Sequence, residues 1–289
     1  TPYDGLVQRH GVNLIRGMAT RIDPAKRTVT LADGQVLPYD RLIVSPGIDF
    51  MWDALPGMNK PGAQDRVLHS WKAGPQTLAL RRQLEAMPDG GVYALSIPLA
   101  PYRCPPGPYE RACLVANYFS KAKPKSKVLI LDANDDVTSK GPLFKKAWAE
   151  RYKGIIEYRP KHTLIDVDAA TNTLKFEFND DVKADVLNVL PPMRAGEIAV
   201  KTGLANANAR WCLVDYLIFA SERSPYRKVI SSANLSVMPR QYHKTGTAVS
   251  ASPEDIRRVV GNMIESGRLL KLKNYGLYLD ENCLTISVP

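Results

Sequence analysis

Nowhere in its 289 residues does the chain contain G-x-G-x-x-G, the glycine turn by which a strand passes a dinucleotide phosphate to a helix N-terminus. It has no apolar run near the roughly 18 residues that a bilayer-spanning helix needs; LIVSPGI and VLILDA are typical of what there is. A transmembrane segment is therefore not expected. The N-terminus TPYDGLVQRH lacks the basic start and apolar core of an uncleaved signal peptide, and the missing initiator Met suits a processed or truncated chain. Cysteine is scarce: Cys104, Cys113, Cys212 and Cys283 are too few for a disulfide scaffold and lack the spacing of zinc ligands. His10, His69, His162 and His243 are also scattered, so no metal site is expected and each histidine reads as a surface or capping residue. The net charge of +10 is spread along the chain, with KAKPKSK (121–127) as its densest cluster. Nucleic acid is not the expected partner; an acidic protein or a solvated surface accounts for the charge equally well.

What the chain does have is 45% hydrophobic content, enough length for two domains, and an internal echo. RIDPAKRTVTLADGQVLPYDRLIVSPG (21–47) is answered by LIDVDAATNTLKFEFNDDVKADVLNVLPP (164–192). Each has Ile-Asp, a polar turn, an alternating strand (Thr28 to Leu31; Leu174 to Phe178), an acidic turn, and then an aspartate leading an apolar strand that ends at proline. Asp40, Leu42, Val44 and Pro46 match Asp185, Leu187, Val189 and Pro191 at a constant offset of 145.

Ahead of the second copy the pattern reads strand (91–97), helix (109–120, with Ala112, Val115, Ala116 and Phe119 on one face), strand (127–131) and helix (143–152, with Phe144, Trp148 and Tyr152 four apart). This predicts an α/β fold with two dinucleotide-binding-type, Rossmann-like domains carrying β-meanders, the first without its opening βαβ unit. The expected division is 1–75, a partial FAD-binding-type domain; 76–195, the second dinucleotide-binding-type domain, carrying a proline-cysteine loop; 196–250, a return to the first domain; and 251–289, a C-terminal segment.

Between the first strand and helix of the second copy stands PLAPYRCPPGPYERA (98–112), with five prolines around Cys104. A nucleotide-binding domain keeps its phosphate turn here, but these prolines carry no N–H donors and fill the space. NAD binding is not expected, and Asp132 at the end of the next strand is not expected to hold a ribose. Pro106 and Pro108 preset helical φ, and Glu110 falls in the first turn. Cys104 is then either a thiolate stabilised at a helix start or a small residue in a stiff structural turn.

From about Tyr3 to Asp215 the chain resembles the flavoprotein subunit of flavocytochrome c sulfide dehydrogenase, a relative of sulfide:quinone oxidoreductase. The stretches that carry the likeness are YDRLIVSPGI (39–48), WKAG (71–74), YRCPPGPYERA (102–112), KPKSKVLILD (123–132), PPMRAGEIA (191–199) and WCLVD (211–215). The resemblance implies a periplasmic sulfide-oxidising flavoprotein that passes electrons from hydrosulfide through a cysteine disulfide and FAD to a c-type cytochrome subunit. It implies that Cys104 pairs with a cysteine near the C-terminus, for which Cys283 in YLDENCLTI is the candidate, and that Glu110 moves protons or simply favours the helix dipole. Cys113 and Cys212 read as packing residues. Pro46, Gly47 and Ile48 fall on the flavin-facing stretch. The family's Gly-Asp pair, whose carboxylate holds the ribityl chain, aligns with Ser231 and Ser232, so little FAD is expected in the chain as it stands. SASPEDIRRVV reads as a capped helix, with Ser252 as N-cap and Pro253 at its first position. The alternatives are a non-catalytic remnant serving as an interaction module, and a quinone-reducing relative, for which Val259 to Leu272 is only weakly a membrane-docking helix.

Overall fold

The structure is a computed structural model that describes residues 3–214 and the backbone of three further short strands. The chain divides into two compact units, Thr1–Met238 and Pro239–Pro289. In the first unit, helix α1 (Asp4–His10) precedes an antiparallel meander of β1 (Ala19–Asp23), β2 (Thr28–Leu31) and β3 (Val36–Pro38). Next come β4 (Leu42–Val44), β5 (Ile48–Phe50), α2 (Ala63–Arg66) and α3 (Pro75–Ala86). An alternating series follows: β6 (Val92–Ile97), α4 (Gly107–Ala122), β7 (Lys127–Asp132), α5 (Gly141–Glu150) and β8 (Ile156–Arg159). A second meander, β9 (Leu164–Asp168), β10 (Thr173–Phe176) and β11 (Val182–Lys183), leads into β12 (Val186–Val189), β13 (Met193–Ala195), α6 (Glu197–Lys201) and β14 (Val229–Ser231). In the second unit, β15 (Leu279–Asp280) pairs antiparallel with β16 (Cys283–Leu284). The capped helix expected from Ser252 lies outside the described residues.

The fold is mixed α/β, and its centre is a Rossmann-like parallel sheet in the order β12-β6-β7-β8. Both faces of this sheet are covered, which is why VYALSI and KVLILD read as nearly continuous apolar runs. Helix α4 turns Tyr109, Ala112, Val115, Ala116 and Phe119 inward at helical spacing, and α5 adds Phe144 and Trp148. Tyr152 lies just past the end of α5 and is half-buried, so the helix is shorter than its apolar spacing predicts. On the opposite face, Ala94, Leu129, Leu131 and Leu187 pack with Val167, Leu174 and Phe176 of the second meander.

The internal echo is structural as well as sequential. β1 and β2 map onto β9 and β10 end for end, at the same offset that carries Ala19 to Leu164 and Thr28 to Thr173. After each meander a strand enters a parallel pairing: β12 with β6, and β4 with β14 in the register Leu42↔Val229 to Val44↔Ser231. β5 and β13 pair antiparallel between the two copies, in the register Ile48↔Ala195 to Phe50↔Met193.

Two side-chain anchors hold the helices to this frame. Lys123, buried beyond the end of α4, turns its ammonium onto the carbonyls of Leu84, Glu85 and Met87, the otherwise unsatisfied acceptors at the end of α3. Gly57 donates its N–H to Asp166 Oδ1 at 2.6 Å, so close to β9 that a Cβ there would overlap the carbonyl oxygen of Val167. Gly57→Ala is expected to destabilise the fold by about 2 kcal/mol or more, because backbone rather than a flexible side chain must give way. Urea unfolding followed by tryptophan fluorescence checks this; an unchanged midpoint would mean that this contact is looser than its geometry.

Candidate active site

The proline loop is folded down over the carboxyl ends of β6 and β7. Asn134, just beyond β7, accepts from the N–H of Ala100 (3.0 Å) and donates to the carbonyl of Pro98 (3.1 Å). Trp71 Nε1 donates to the carbonyl of Arg103 at 3.2 Å, and Arg210 reaches the carbonyl of Pro101 at 3.3 Å. The loop therefore occupies the edge of the sheet at which α/β folds bind nucleotides.

Asp132 is what Asn134 rests on. Its carboxylate is fully buried and accepts from Asn134 Nδ2 (2.7 Å) and N–H (3.0 Å), Tyr109 Oη (2.7 Å) and Tyr158 Oη (3.1 Å). Burial pushes its pKa up, and these donors pull it partly back. A carboxylate so enclosed is committed to the fold. Tyr102 Oη meets Thr138 Oγ1 at 2.7 Å, extending the same polar knot beneath the loop.

Helix α4 starts as the prolines dictate. Pro106 is the N-cap at φ −75 and ψ −20, and Glu110 lies in the first turn. Cys104 is exposed, in the left-handed region at φ +60, and its carbonyl accepts from the N–H of Gly107 at 2.9 Å. Its sulfur lies over Gly107, where an added Cβ would be 3.0 Å from Sγ and 2.7 Å from Trp71 Cη2. Gly107 is thus the residue that lets the thiol and the indole approach α4 together.

Arg111 follows one turn later. It donates to the carbonyls of His69 (2.9 Å) and Ser70 (2.6 Å) and to Asn188 Oδ1 (2.8 Å), with its guanidinium 4.9 Å from the Trp71 ring centroid. Burial lowers the pKa of Arg111 from its ordinary value, while Tyr93 and Cys104 act to raise it. Fully buried Asn188 completes the clamp, donating to the carbonyls of Leu68 (2.6 Å) and His69 (3.0 Å) and accepting from Tyr93 Oη (3.0 Å). None of this was evident in the sequence. Arg111 and Trp71 lie inside the family-like stretches YRCPPGPYERA and WKAG, and Asn188 is a polar break in VLNVL, but nothing local pairs them.

Of the two roles expected of His69, surface or capping, the residue fits the second by its local hydrogen bond and departs from the first by its burial. It is half-buried, its ring centroid is 4.4 Å from that of Phe50, and its Nδ1 accepts from the N–H of Trp71 at 2.8 Å. Burial, with Lys72 and Arg111 nearby, brings its pKa down to about 4, so the ring is neutral at pH 7. Cys113 accepts from Trp148 Nε1 at 3.3 Å and Cys212 is fully buried, so both pack as expected. The charge of Glu110 is felt at Cys113, whose pKa is raised chiefly by burial.

Pro46 and Gly47 follow the carboxyl end of β4, Ile48 opens β5 and is buried, and the backbone of Ser231 ends β14, which pairs with β4. Gly47 has φ +70 with open space where a Cβ would stand, and its carbonyl accepts from the N–H of Gly196 at 3.0 Å. Asp49 bonds Lys72 (2.6 Å) and the N–H of Glu197 (2.7 Å); burial would raise its pKa, but these partners hold it below the usual carboxylate range. Ser232 lies outside the described residues, as does the side chain of Cys283, whose backbone forms part of β16. Among the described residues no group of acidic, histidine and cysteine side chains could hold a metal ion, and no helix is long and apolar enough to cross a membrane.

Residues 77–191, the segment that contains this loop, match the family model described as the central part of the sulfide dehydrogenase (flavocytochrome c) flavoprotein chain. The chain is a family-level match to the sulfide:quinone oxidoreductase and flavocytochrome c sulfide dehydrogenase flavoproteins. It is 24% identical over 268 residues to the mitochondrial sulfide:quinone oxidoreductase of Dictyostelium discoideum, covering 88% of this chain and 56% of that protein. Two solved structures share the fold. The sulfide:quinone oxidoreductase of Aquifex aeolicus has a TM-score of 0.62 at 18% identity, over 80% of this chain and 54% of its own. The NAD-dependent persulfide reductase of A. fulgidus has a TM-score of 0.56 at 17% identity, over 80% and 40%. The chain thus spans about half the length of these relatives.

Tyr109→Phe tests the knot under the loop. Losing one donor to a buried carboxylate is expected to cost about 1–3 kcal/mol at neutral pH. Because burial raises the Asp132 pKa, its contribution is fullest below the ordinary value of 3.8 and declines as pH rises through the folded value. The loss in the variant should therefore be smaller in acid than at pH 7. Urea midpoints against pH check the sign, and a loss that grows in acid would contradict it.

Proposed function

We propose that this chain is the sulfur-handling part of a flavin-dependent sulfide dehydrogenase, with Cys104 as the thiol that meets the substrate. The observation that carries the reading is the placement of Cys104: exposed, at φ +60, on a loop pinned at both flanks, with its sulfur over the first turn of α4. A thiol in a purely structural turn has no need of exposure or of so many fixed neighbours.

In this reading the chain comprises two dinucleotide-binding-type domains divided near 75, 195 and 250, and Cys104 forms a disulfide with Cys283. Hydrosulfide attacks one sulfur of that bond. A new S–S bond to the incoming sulfur forms, giving a persulfide on one cysteine; the old bond breaks and the other cysteine leaves as thiolate. The sulfide sulfur is oxidised by two electrons and the disulfide is reduced by the same two. Glu110, exposed in the first turn of α4, takes up the proton lost by hydrosulfide.

Pro46, Gly47 and Ile48 would border the flavin, a reading supported by the open space where a Cβ of Gly47 would stand, near the end of β14. With Ser231 and Ser232 they would hold FAD by backbone and hydroxyl groups. When bound, the flavin supplies an acceptor for the electron pair and a way to release it singly. A c-type cytochrome is the proposed recipient, which agrees with a periplasmic setting.

Oxidised protein is treated with sulfide, and Cys104 and Cys283 are read by peptide mass spectrometry. Loss of the disulfide with a persulfide on one of the pair is expected, and Cys104→Ser should abolish it. If neither cysteine gains sulfur, the interaction-module reading is the better one. For the cofactor, a serine in place of a ribityl-binding carboxylate predicts weak FAD binding. Ser232→Asp should tighten it about tenfold or more, as a charge-assisted hydrogen bond allows. Quenching of flavin fluorescence measures this, and equal affinity in the two proteins would remove Ser232 from the site.

A further inference from the structure

Among the described residues Arg111 is a cation without an anion. Its three acceptors, the His69 and Ser70 carbonyls and Asn188 Oδ1, are all neutral, and none of the ion pairs among the described residues includes it. Neutral acceptors fix a guanidinium in place while leaving its field free to act on whatever lies next to it.

The helix face that bears Arg111 also carries the Cys104 sulfur over Gly107, one turn earlier, and the Trp71 indole touches both the Gly107 position and the guanidinium. Cys104 is among the groups that act to raise the Arg111 pKa. Of the other charged or titratable groups around them, Lys72 is paired with Asp49, His69 is neutral at pH 7, and Tyr93 and Tyr102 are phenols. Exposed Glu110 in the first turn of α4 opposes the Arg111 field, whereas Arg103 beside the thiol and Arg210 at the Pro101 carbonyl add to it, so the Arg111 variants isolate its share.

We infer that Arg111 makes Cys104 selective for anionic over neutral reaction partners, such as the hydrosulfide ion over a neutral thiol. The inference rests on Cys104 being the sulfur-handling thiol, but it requires neither Cys283, nor a flavin, nor an electron acceptor. Arg111 is a specificity-determining residue in this sense, acting through space on what approaches the sulfur.

The test compares two reagents on the same thiol. Reduced full-length protein is alkylated with iodoacetate, an anion, or iodoacetamide, its neutral counterpart, at one pH, and the initial rates at Cys104 are read by peptide mass spectrometry. In both reactions the thiolate of Cys104 displaces iodide, an S–C bond replacing the C–I bond. The ratio of the two rates therefore cancels the ionised fraction and leaves the local field. The reference is a capped peptide of residues Tyr102 to Pro108, which retains the charge of Arg103. At low salt the protein's iodoacetate-to-iodoacetamide ratio should exceed the peptide's by about three- to tenfold, as one nearby unit charge in partly wet protein allows. It should fall toward the peptide's value in about 1 M salt. Arg111→Met should lose the preference and Arg111→Lys keep most of it.

A wild-type ratio equal to that of the peptide overturns the inference, whether or not Arg111→Met folds. Persulfide formation at Cys104 alongside a peptide-like ratio would leave the sulfur chemistry standing and remove Arg111 from it. A raised ratio with no persulfide would do the reverse.

Discussion

A carboxylate cut off from water must be given donors by the chain itself, and most of the site is arranged around supplying them to Asp132. Asn134 and the phenols of Tyr109 and Tyr158 do so, and each brings a piece of structure with it. Tyr109 belongs to the first turn of α4, so satisfying Asp132 fixes where that helix begins. Asn134 spends its remaining amide capacity on Pro98 and Ala100, which fixes where the proline loop lies. An unsatisfied buried carboxylate would cost several kcal/mol, so the loop and the helix start are held by a penalty rather than by a large attraction. The charge at the end of β7, which in a nucleotide-binding fold would face the ligand, here faces inward and organises the loop above it.

A second clamp joins this unit to the earlier part of the chain. Arg111 and Asn188 both bond the backbone at His69, and Trp71 bonds the loop at Arg103. Residues 68–71 are therefore held between α4, β12 and the proline loop. The neutral His69 ring belongs to the same economy: a protonated imidazole beside Lys72 and Arg111 would add a third positive charge, whereas the neutral ring offers Nδ1 to the N–H of Trp71.

How much of this could be read beforehand follows from the range over which each feature is encoded. The meanders and the parallel unit were legible because apolar alternation and helical spacing are local, and the repeat doubled the signal: Ile22 and Val44 in one copy have counterparts in Val167 and Val189 in the other. The start of α4 was legible because Pro106 and Pro108 encode φ directly. The extent of α5 was overestimated, since Tyr152 keeps the apolar spacing after the helix has ended. The burial of His69 was not legible because Phe50 meets its ring only through tertiary packing, whereas its bond to the N–H of Trp71 is local. The Arg111 clamp was invisible for the same reason: its acceptors lie about forty and about eighty positions away, and a carbonyl acceptor leaves no mark on a sequence.

The same position in the fold can be built for opposite purposes. A glycine turn exposes a row of N–H donors and can follow the outline of a phosphate; the proline loop removes those donors and gives up that adaptability for fixed φ at Pro101, Pro105, Pro106 and Pro108. The residue left to absorb the change of direction is Cys104, a non-glycine at φ +60 immediately before a proline, where the left-handed region costs about 1–2 kcal/mol. That cost is sustained because both sides of the loop are pinned, by Asn134 and Arg210 before the thiol and by Trp71 and the Gly107 N–H around it. Strain held at one exposed side chain by a rigid surround is the observation from which the proposed chemistry of Cys104 starts. Cys113, half-buried against Trp148, and Cys212, fully buried, provide the contrast within the same chain.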